Sequence, residues 1–391
     1  MSASPRILKL KPKRERSVLN FHPWVFSGAV EAVPDYPEGA WVQVCTSQNE
    51  ILGYGHFSPH SQIVCRILTW ETQSEVSEWE LIRTHIENAI AWRKKCFDKN
   101  TTGYRLIHAE GDFLPGLIVD QYAHVLVMQL RTAGMLRLQN QILECLVKNT
   151  GVSHVLLRGE KPEGGNDCTF LLGDTLSTVS FLENGLPFHA EVLTGQKTGF
   201  FLDQRENRKL LQHYAQGKNV LNTFAYSGAF SVYALAGKAK EVISVDLSGK
   251  AIDACIANVS NAMGKEAPHT AIVADCFDFL KDMPADLYDL IILDPPAFTK
   301  HISTVDKAAR GYKEINMKAI RKIRKGGILF TFSCSQHISS DLFRKIIYGA
   351  AADVGRKVQV LHRLAQPEDH PVSIYHPEGE YLKGLVLRVG D

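Results

Sequence analysis

From about residue 191 onward, apolar strands and helical stretches alternate without a break, and this pattern constrains the fold more than any other feature. "KNVLNTF" leads into "GAFSVYALAGK", "EVISVDLS" into "GKAIDACIANVSNAMG", "HTAIVAD" into "CFDFLKDM", and "YDLIILDPP" into a helix over about 306–324. "GILFTFSC" then precedes "SSDLFRKIIYGAAADVG", and "VQVLHRL" and "KGLVLRV" read as two closing strands. Strands this continuously apolar must be buried on both faces, which a parallel sheet between two helical layers achieves. The expected class is α/β, with a Rossmann-like sheet over residues 191–391.

The chain before that point has another rhythm. Residues 1–70 carry short β-branched and aromatic runs, "WVQVCTS", "ILGYGHF" and "SQIVCRIL", broken by turn material such as "VPDYPEGA". They predict a small β domain. Residues 71–190 predict a middle α+β domain. It starts with a helix from Ser77 to Phe97, where Trp79, Ile82, Ile86, Ile90 and Phe97 keep helical spacing. A hairpin turning at Glu-Gly-Asp follows, then a helix over about 133–149 that Gly151 terminates, and a second hairpin at Asn184-Gly185.

Charge and cysteine usage narrow the class of protein. The 44 Lys+Arg against 42 Asp+Glu leave a net charge of +2, which neither demands nor excludes a nucleic-acid partner. Locally, Arg6, Lys9, Lys11, Lys13, Arg14 and Arg16 stand against one acid, Glu15. Such an arm is either a solvated surface or a track for phosphates. The eight cysteines show no C-x-x-C pair or zinc spacing, so reduced thiols and no metal are expected. No signal-peptide core and no apolar run of about 18 residues is visible, so a soluble, cytoplasmic protein is expected.

In an open α/β sheet, ligands bind beyond the carboxyl ends of the strands, so the residues there are the candidates for chemistry. The first strand ends in "NTFAYSGAFS", which offers Asn222, Phe224, Tyr226 and Gly228 but lacks the glycines of a dinucleotide loop. A bulkier loop suits a cofactor without phosphates. Asp246 closes the second strand, 18 residues beyond Gly228, where an acid accepts from ribose hydroxyls. Asp275 closes the third, placed to meet adenine. Either aspartate alone reads equally as a helix cap, but together these strand ends point to an adenosine cofactor.

Upstream, "GQKTGFFLDQRENR" brings Gln196, Lys197 and Thr198 to a glycine-flanked bend, with Asp203 and Arg205 as possible anchors for the cofactor's methionine end. An ordinary amphipathic helix start, capped by Asp203, is the bland reading. The fourth strand ends in "DPPAF", where two prolines after Asp294 fix a rigid extended loop. The fifth ends at Cys334. Taken alone, a cysteine in an apolar run is core filler. If the fourth and fifth strands adjoin, however, Asp294 and Cys334 share one pocket, and a thiolate attacking a base that the carboxylic group holds in place makes a covalent catalyst. Phe200, Tyr226 and Phe298 are candidates for stacking a base, or are simply core aromatics.

"DPPAF" followed by "FSCSQH", and preceded by "TGQKTGFFLDQRENR" and "LNTFAYSGAFS", resembles the S-adenosylmethionine-dependent RNA methyltransferases that make 5-methylcytosine in bacterial large-subunit ribosomal RNA. The likeness covers the whole chain: a PUA RNA-binding domain, whose opening "HPWVFSGAV" matches, a middle α+β domain and a class I methyltransferase domain. It implies S-adenosyl-L-methionine as cofactor, ribosomal RNA as partner, no membrane, and the segment 195–208, with Gln196, Phe200, Asp203 and Arg205, lining the cofactor pocket. It also implies that Cys334 adds to cytosine C6, that Asp294 holds the N3/N4 edge, and that the base is extruded or the RNA unfolded. Some such enzymes carry a second cysteine after the motif proline; here Pro296-Ala297 stands there, so no second thiol assists release. The base for the C5 proton is then sought in "YHPEGEYLKG", among His376, Glu378 and Glu380, with Glu380 chosen. Two other readings stay open. One is an RNA methyltransferase acting on a guanine or adenine nitrogen without a covalent thiol, since "DPPxF" alone also occurs in guanine enzymes. The other is a non-catalytic RNA-binding ribosome-assembly factor.

Overall fold

The computed structural model describes residues 5–73, 75–160, 166–299 and 301–391. The chain divides into two compact units. The first comprises Met1–Phe181, Ala190–Phe200 and Glu368–Gly379; the second comprises Leu182–His189, Phe201–Pro367 and Glu380–Asp391.

The first unit holds two five-stranded sheets. One contains β1 (Ile7–Lys9), β2 (Trp24–Phe26), β3 (Trp41–Cys45), β4 (Ile51–Phe57) and β5 (Ile63–Thr69), in the order β1-β3-β4-β5-β2. A one-turn helix α1 (Arg16–Leu19) precedes β2. Inward residues Leu8, Val25, Val42, Val44, Phe57, Val64 and Ile67 form its core. The other sheet is β10-β9-β8-β7-β6, built from β6 (Gly103–His108), β7 (Leu117–Tyr122), β8 (Val125–Leu130), β9 (His154–Glu160) and β10 (Asn166–Leu172).

Helix α2 (Glu78–Cys96) covers that second sheet with Ile82, Ile86 and Ile90, and Ser77 caps it by accepting from the Glu80 N–H. The helix expected over 133–149 is two helices, α3 (Ala133–Arg137) and α4 (Gln139–Thr150), broken at Leu138; Gly151 ends the second at φ 69°. Buried ion pairs tie the unit together. Arg93 grips Asp112 at 2.6 and 2.7 Å and donates to the Asp369 carbonyl, while Arg105 grips Asp120 at 2.8 and 2.9 Å. The chain then turns through a hairpin, β11 (Val179–Glu183) and β12 (Leu186–Ala190). Asn184 (φ 50°) and Gly185 (φ 80°) supply the two left-handed residues of a tight turn.

The second unit is the expected α/β layer structure. Its seven strands are β13 (Asn219–Thr223), β14 (Glu241–Asp246), β15 (His269–Val273), β16 (Leu290–Leu293), β17 (Gly327–Ser333), β18 (Val358–Ala365) and β19 (Lys383–Val389). They run in the order β15-β14-β13-β16-β17-β19-β18. The first five of that list in space are parallel, while β19 inserts antiparallel to both β17 and β18. The order reverses between β13 and β16, so ligand chemistry is expected over their carboxyl ends.

Five further helices and one shorter piece cover the sheet: α5 (Arg205–Tyr214), α6 (Ala229–Ala236), α7 (Gly249–Met263), α8 (Cys276–Asp282), α9 (Val305–Lys322) and α10 (Ser340–Val354). On one face, Ala308, Tyr312, Ile315 and Ala319 of α9 form the helical stripe that packs with Ile291, Leu293 and Leu329. Glu183, fully buried, accepts two bonds from Arg208 of α5 at 2.7 and 2.6 Å and so locks the hairpin tip to that helix. Among the described residues no helix is long and apolar enough to cross a membrane, and no cluster of His, Cys, Asp or Glu is arranged to hold a metal ion.

Candidate active site

The loop after β13 is the most contorted backbone in the second unit. Phe224 and Tyr226 hold φ of 55° and 47°, and Gly228 follows at 75°. For residues with side chains that conformation costs about 1 kcal/mol or more each, so the surroundings must impose it. They do: the Phe224 N–H meets Cys276 Sγ at 3.2 Å, the Ala225 N–H the Val245 carbonyl at 3.1 Å, and the Tyr226 N–H Asp246 Oδ2 at 2.9 Å. Gly228 has no room for a side chain, because a Cβ there would lie 2.4 Å from Cys255 Sγ. Asn222 is buried beneath the loop, where its amide donates to Ser231 Oγ at 2.9 Å. From Ser231 the bonds continue to Ser244 and on to His269 Nε2, at 2.7 and 2.8 Å. Burial pushes the His269 pKa down to about 4, so the ring is neutral at pH 7.

Asp246 ends β14 with each oxygen holding one backbone N–H, Oδ2 from Tyr226 and Oδ1 from Ser248 at 2.9 Å. A carboxylate has about four acceptor sites, so two remain for a diol. Asp275 lies just past β15 as the cap of α8, accepting from the Phe277 and Asp278 N–H groups through Oδ1 and leaving Oδ2 as an acceptor. Two residues beside these aspartates escaped the sequence reading. Leu247, next to Asp246, is 69% exposed, and Val273, paired with Asp246 across the β14–β15 register, is 56% exposed. Exposed apolar side chains flanking two acceptor carboxylates suit the flat faces of a purine. Two acceptor carboxylates beside two exposed apolar side chains therefore fit the chemistry of an adenosine-type cofactor.

Asp294 follows β16 directly, and a residue missed in the sequence holds it. Gln204 donates from Nε2 to Asp294 Oδ2 at 3.0 Å, while its Oε1 accepts from Asn207 Nδ2 at 2.6 Å. Gln204 and Asn207 are both buried, so the amide has one orientation available and its N–H points at the carboxylate. The signal that could have found it is the "QxxN" spacing on one helical face, residues 204 and 207, at the start of α5.

Cys334 follows Ser333, the last residue of β17, and its Sγ lies 4.0 Å from the Pro295 carbonyl. The register of β16 and β17 thus brings the two predicted strand ends together. Of the three cysteines in the second unit, Cys255 and Cys276 are buried, with thiol pKa values pushed up to about 11 and about 12; Cys334 alone has exposed surface.

The remaining predicted residues separate. Asp203 is buried and accepts from the Tyr381 hydroxyl at 2.7 Å; Arg205, also buried, donates to Glu206 at 3.1 Å. Phe298 packs between Phe277 and Tyr312, and Tyr226 meets Phe201 edge-on at 5.1 Å. Gln196 and Phe200 belong to the first unit. There Gln196 is exposed at a bend, Thr198 is anchored to Asp120 and Tyr122, and Phe200 is buried edge-on against Phe181. The stretch "YHPEGEYLKG" divides as well. His376 and Glu378 lie in the first unit beside His22 and Trp24, whereas Glu380 lies in the second, accepting from Ser340 Oγ at 3.4 Å.

Comparison with known proteins bears on the same features. A family model described as S-adenosylmethionine-dependent methyltransferase matches residues 127–387, and one for PUA-like domains matches residues 8–70. Two proteins named ribosomal RNA large subunit methyltransferase I are similar over their full length. The one from Alteromonas mediterranea is 39% identical, covering 98% of each chain. The one from Pseudoalteromonas atlantica is 41% identical over 97% of this chain and 98% of the other. Among solved structures, a protein described as a SAM-dependent methyltransferase from Streptococcus mutans aligns at a TM-score of 0.84 with 22% identity, covering 98% of this chain and 100% of that one. A methyltransferase complexed with SAH aligns at 0.85, also with 22% identity, over 99% and 100%. At that identity the likeness is one of fold.

Proposed function

The chain belongs to the ribosomal RNA large subunit methyltransferase I family of S-adenosylmethionine-dependent methyltransferases, and from that membership we propose that it methylates C5 of a cytosine in large-subunit ribosomal RNA through a covalent bond from Cys334. The observation that carries this reading is the junction of β16 and β17, where the one partly exposed thiol of the second unit stands beside the Asp294-Pro295 corner.

C5 of cytosine is a weak nucleophile, and a thiolate adding at C6 corrects that. The new Sγ–C6 bond takes the electron pair of the thiolate, and the ring pair moves onto C5. Bound S-adenosylmethionine supplies an electrophilic methyl group to that carbon. Asp294, steered by Gln204, holds the N3/N4 edge by accepting from the N4 amino group, which fixes the ring for attack at C6. Glu380 takes the C5 proton, the C5–C6 double bond returns, and the Sγ–C6 bond breaks to release Cys334. Asp246 and Asp275, with Leu247 and Val273, hold the adenosine.

RNA is held by the PUA-like domain. Lys11, Lys13, Arg14 and Arg16 are all exposed and suit phosphates, and the half-exposed Phe21 and Phe26 beside them suit unpaired bases. The deciding experiment compares Cys334→Ser and Cys334→Ala with the unmodified protein, using labelled cofactor and ribosomal RNA, and locates the product by nuclease digestion and mass spectrometry. Loss of turnover with 5-methylcytidine as the normal product is expected. Retained turnover in Cys334→Ser, or a methyl group on a purine nitrogen, would refute the covalent reading.

A further inference from the structure

Lys383 opens β19 directly opposite Ser333 in the antiparallel β17–β19 pair. Its backbone is therefore fixed one position before Cys334. Its side chain is 5% exposed, and its ammonium donates to the Ser335 carbonyl at 2.8 Å, one position after Cys334. The lysine spans the cysteine, tied to the chain on both sides of it.

An ammonium has three donors, and among the described residues this one makes a single hydrogen bond. Among the described residues no carboxylate forms an ion pair with it. Burial pushes its pKa down to about 8, and the two groups that pull it back up are Cys334 and Glu380. Glu380 is exposed, so its attraction is screened by solvent. Tyr312, a further ionisable group, shares a 2.9 Å bond with Ser335 Oγ, and its phenol is pushed further from ionising by burial, so it brings no charge. Asp294, before the Pro295 carbonyl that faces Sγ, is held by Gln204. A buried cation is stabilised by an anion beside it, and the Cys334 sulfur belongs to the residue between its two anchor points.

Building on the covalent reading above, we infer that Lys383 is a positioning residue for the nucleophile: with its backbone paired to Ser333 and its ammonium on the Ser335 carbonyl, it holds Cys334 as the thiolate. The thiol proton leaves Sγ for bulk water, and no other bond changes. The cysteine is thereby ready before RNA arrives.

The test is the pH dependence of alkylation of Cys334 by iodoacetamide in the full chain, read by site-resolved mass spectrometry from about pH 5.5 to about pH 9.5. In the unmodified protein the midpoint is expected at least about one unit below the ordinary thiol value of about 8.5. Lys383→Met should raise it by about one unit or more and slow alkylation at pH 7 about tenfold, whereas Lys383→Arg, which keeps the charge, should restore most of the rate. A midpoint at or above the ordinary value in the unmodified protein overturns the proposal without any variant, so misfolding of Lys383→Met leaves it falsifiable. An unshifted midpoint in folded Lys383→Met overturns it as well. Turnover by Cys334→Ser decides the covalent reading separately: if that variant is dead and the alkylation profile is ordinary, the nucleophile stands and Lys383 has no part in it.

Discussion

Replacing Gln204 with leucine removes the support of Asp294 at nearly constant volume. The change deletes the 3.0 Å donor to Asp294 Oδ2 and the acceptor that holds Asn207 at 2.6 Å. A hydrogen bond to a charged group contributes about 1.5–3 kcal/mol. Asp294 is only partly buried, so water replaces some of the loss, and the lower part of that range, about 1.5–2 kcal/mol, applies. Asp294 orients the base for attack at C6, so the loss appears in kcat as a slowing of about 10–30-fold. Asn207 keeps its bond to the Ala365 carbonyl at 3.3 Å, so the fold should lose only about 1 kcal/mol. The assay is single-turnover transfer of labelled methyl to RNA, with calorimetry of S-adenosylmethionine binding and a denaturant titration as controls. Binding should change less than about twofold, because Asp246 and Asp275 make no bond to Gln204. Folded Gln204→Leu that turns over within about threefold of the unmodified protein would refute the reasoning. Adding Asn207→Leu should then slow transfer little further, since both changes break one chain of bonds.

Three other outcomes follow from the same structure. Asp246→Asn leaves one acceptor oxygen where two backbone N–H groups and a ribose compete, so cofactor affinity by calorimetry should fall about 10–100-fold; unchanged affinity would place the ribose elsewhere. Glu183→Gln strands Arg208 without its buried counter-ion and should lower stability in urea by about 3–5 kcal/mol, with a loss below about 1 kcal/mol contradicting the pairing. His269 titrates near about 6.5 when unfolded but near 4 when folded, so between those values only the unfolded chain binds the proton and stability falls as pH drops. Discounted for partial exposure, its share is about 1–2 kcal/mol at pH 5 and vanishes above the unfolded value, and His269→Asn should flatten that part of the profile.

The strand ends were legible in the sequence because strands buried on both faces must be continuously apolar, so the first polar residue marks where each stops. Asp246, Asp294 and Cys334 stand where that logic put them. Asp275 is slightly displaced, past the end of β15, where it caps α8 and keeps one oxygen available. What stayed hidden depends on pairing across the chain. Lys383 acquires meaning only from the β17–β19 register, and Gln204 only from a bond to a residue 90 positions away. Leu247 and Val273 were ordinary apolar residues until their exposure was known. The break at Leu138 is invisible to apolar periodicity, which runs through it. In "YHPEGEYLKG" the three acids and bases look equivalent, yet one glycine separates His376 and Glu378, in one unit, from Glu380 in the other.

The path of the chain also has a consequence for how the protein is made. It passes from one unit to the other at residues 181/182, 189/190, 200/201, 367/368 and 379/380. During synthesis, then, neither unit is complete until late. The first waits for Glu368–Gly379, whose Asp369 meets Arg93 and Arg105, and the second waits for β19, which fills the gap between β17 and β18. Both closures arrive within a few residues of each other, and until then β17 has an open edge and β18 has no partner. Exposed apolar strands of that kind invite association before folding ends. Cutting the chain at 200/201 would leave the first piece without the Asp369 contacts to Arg93 and Arg105.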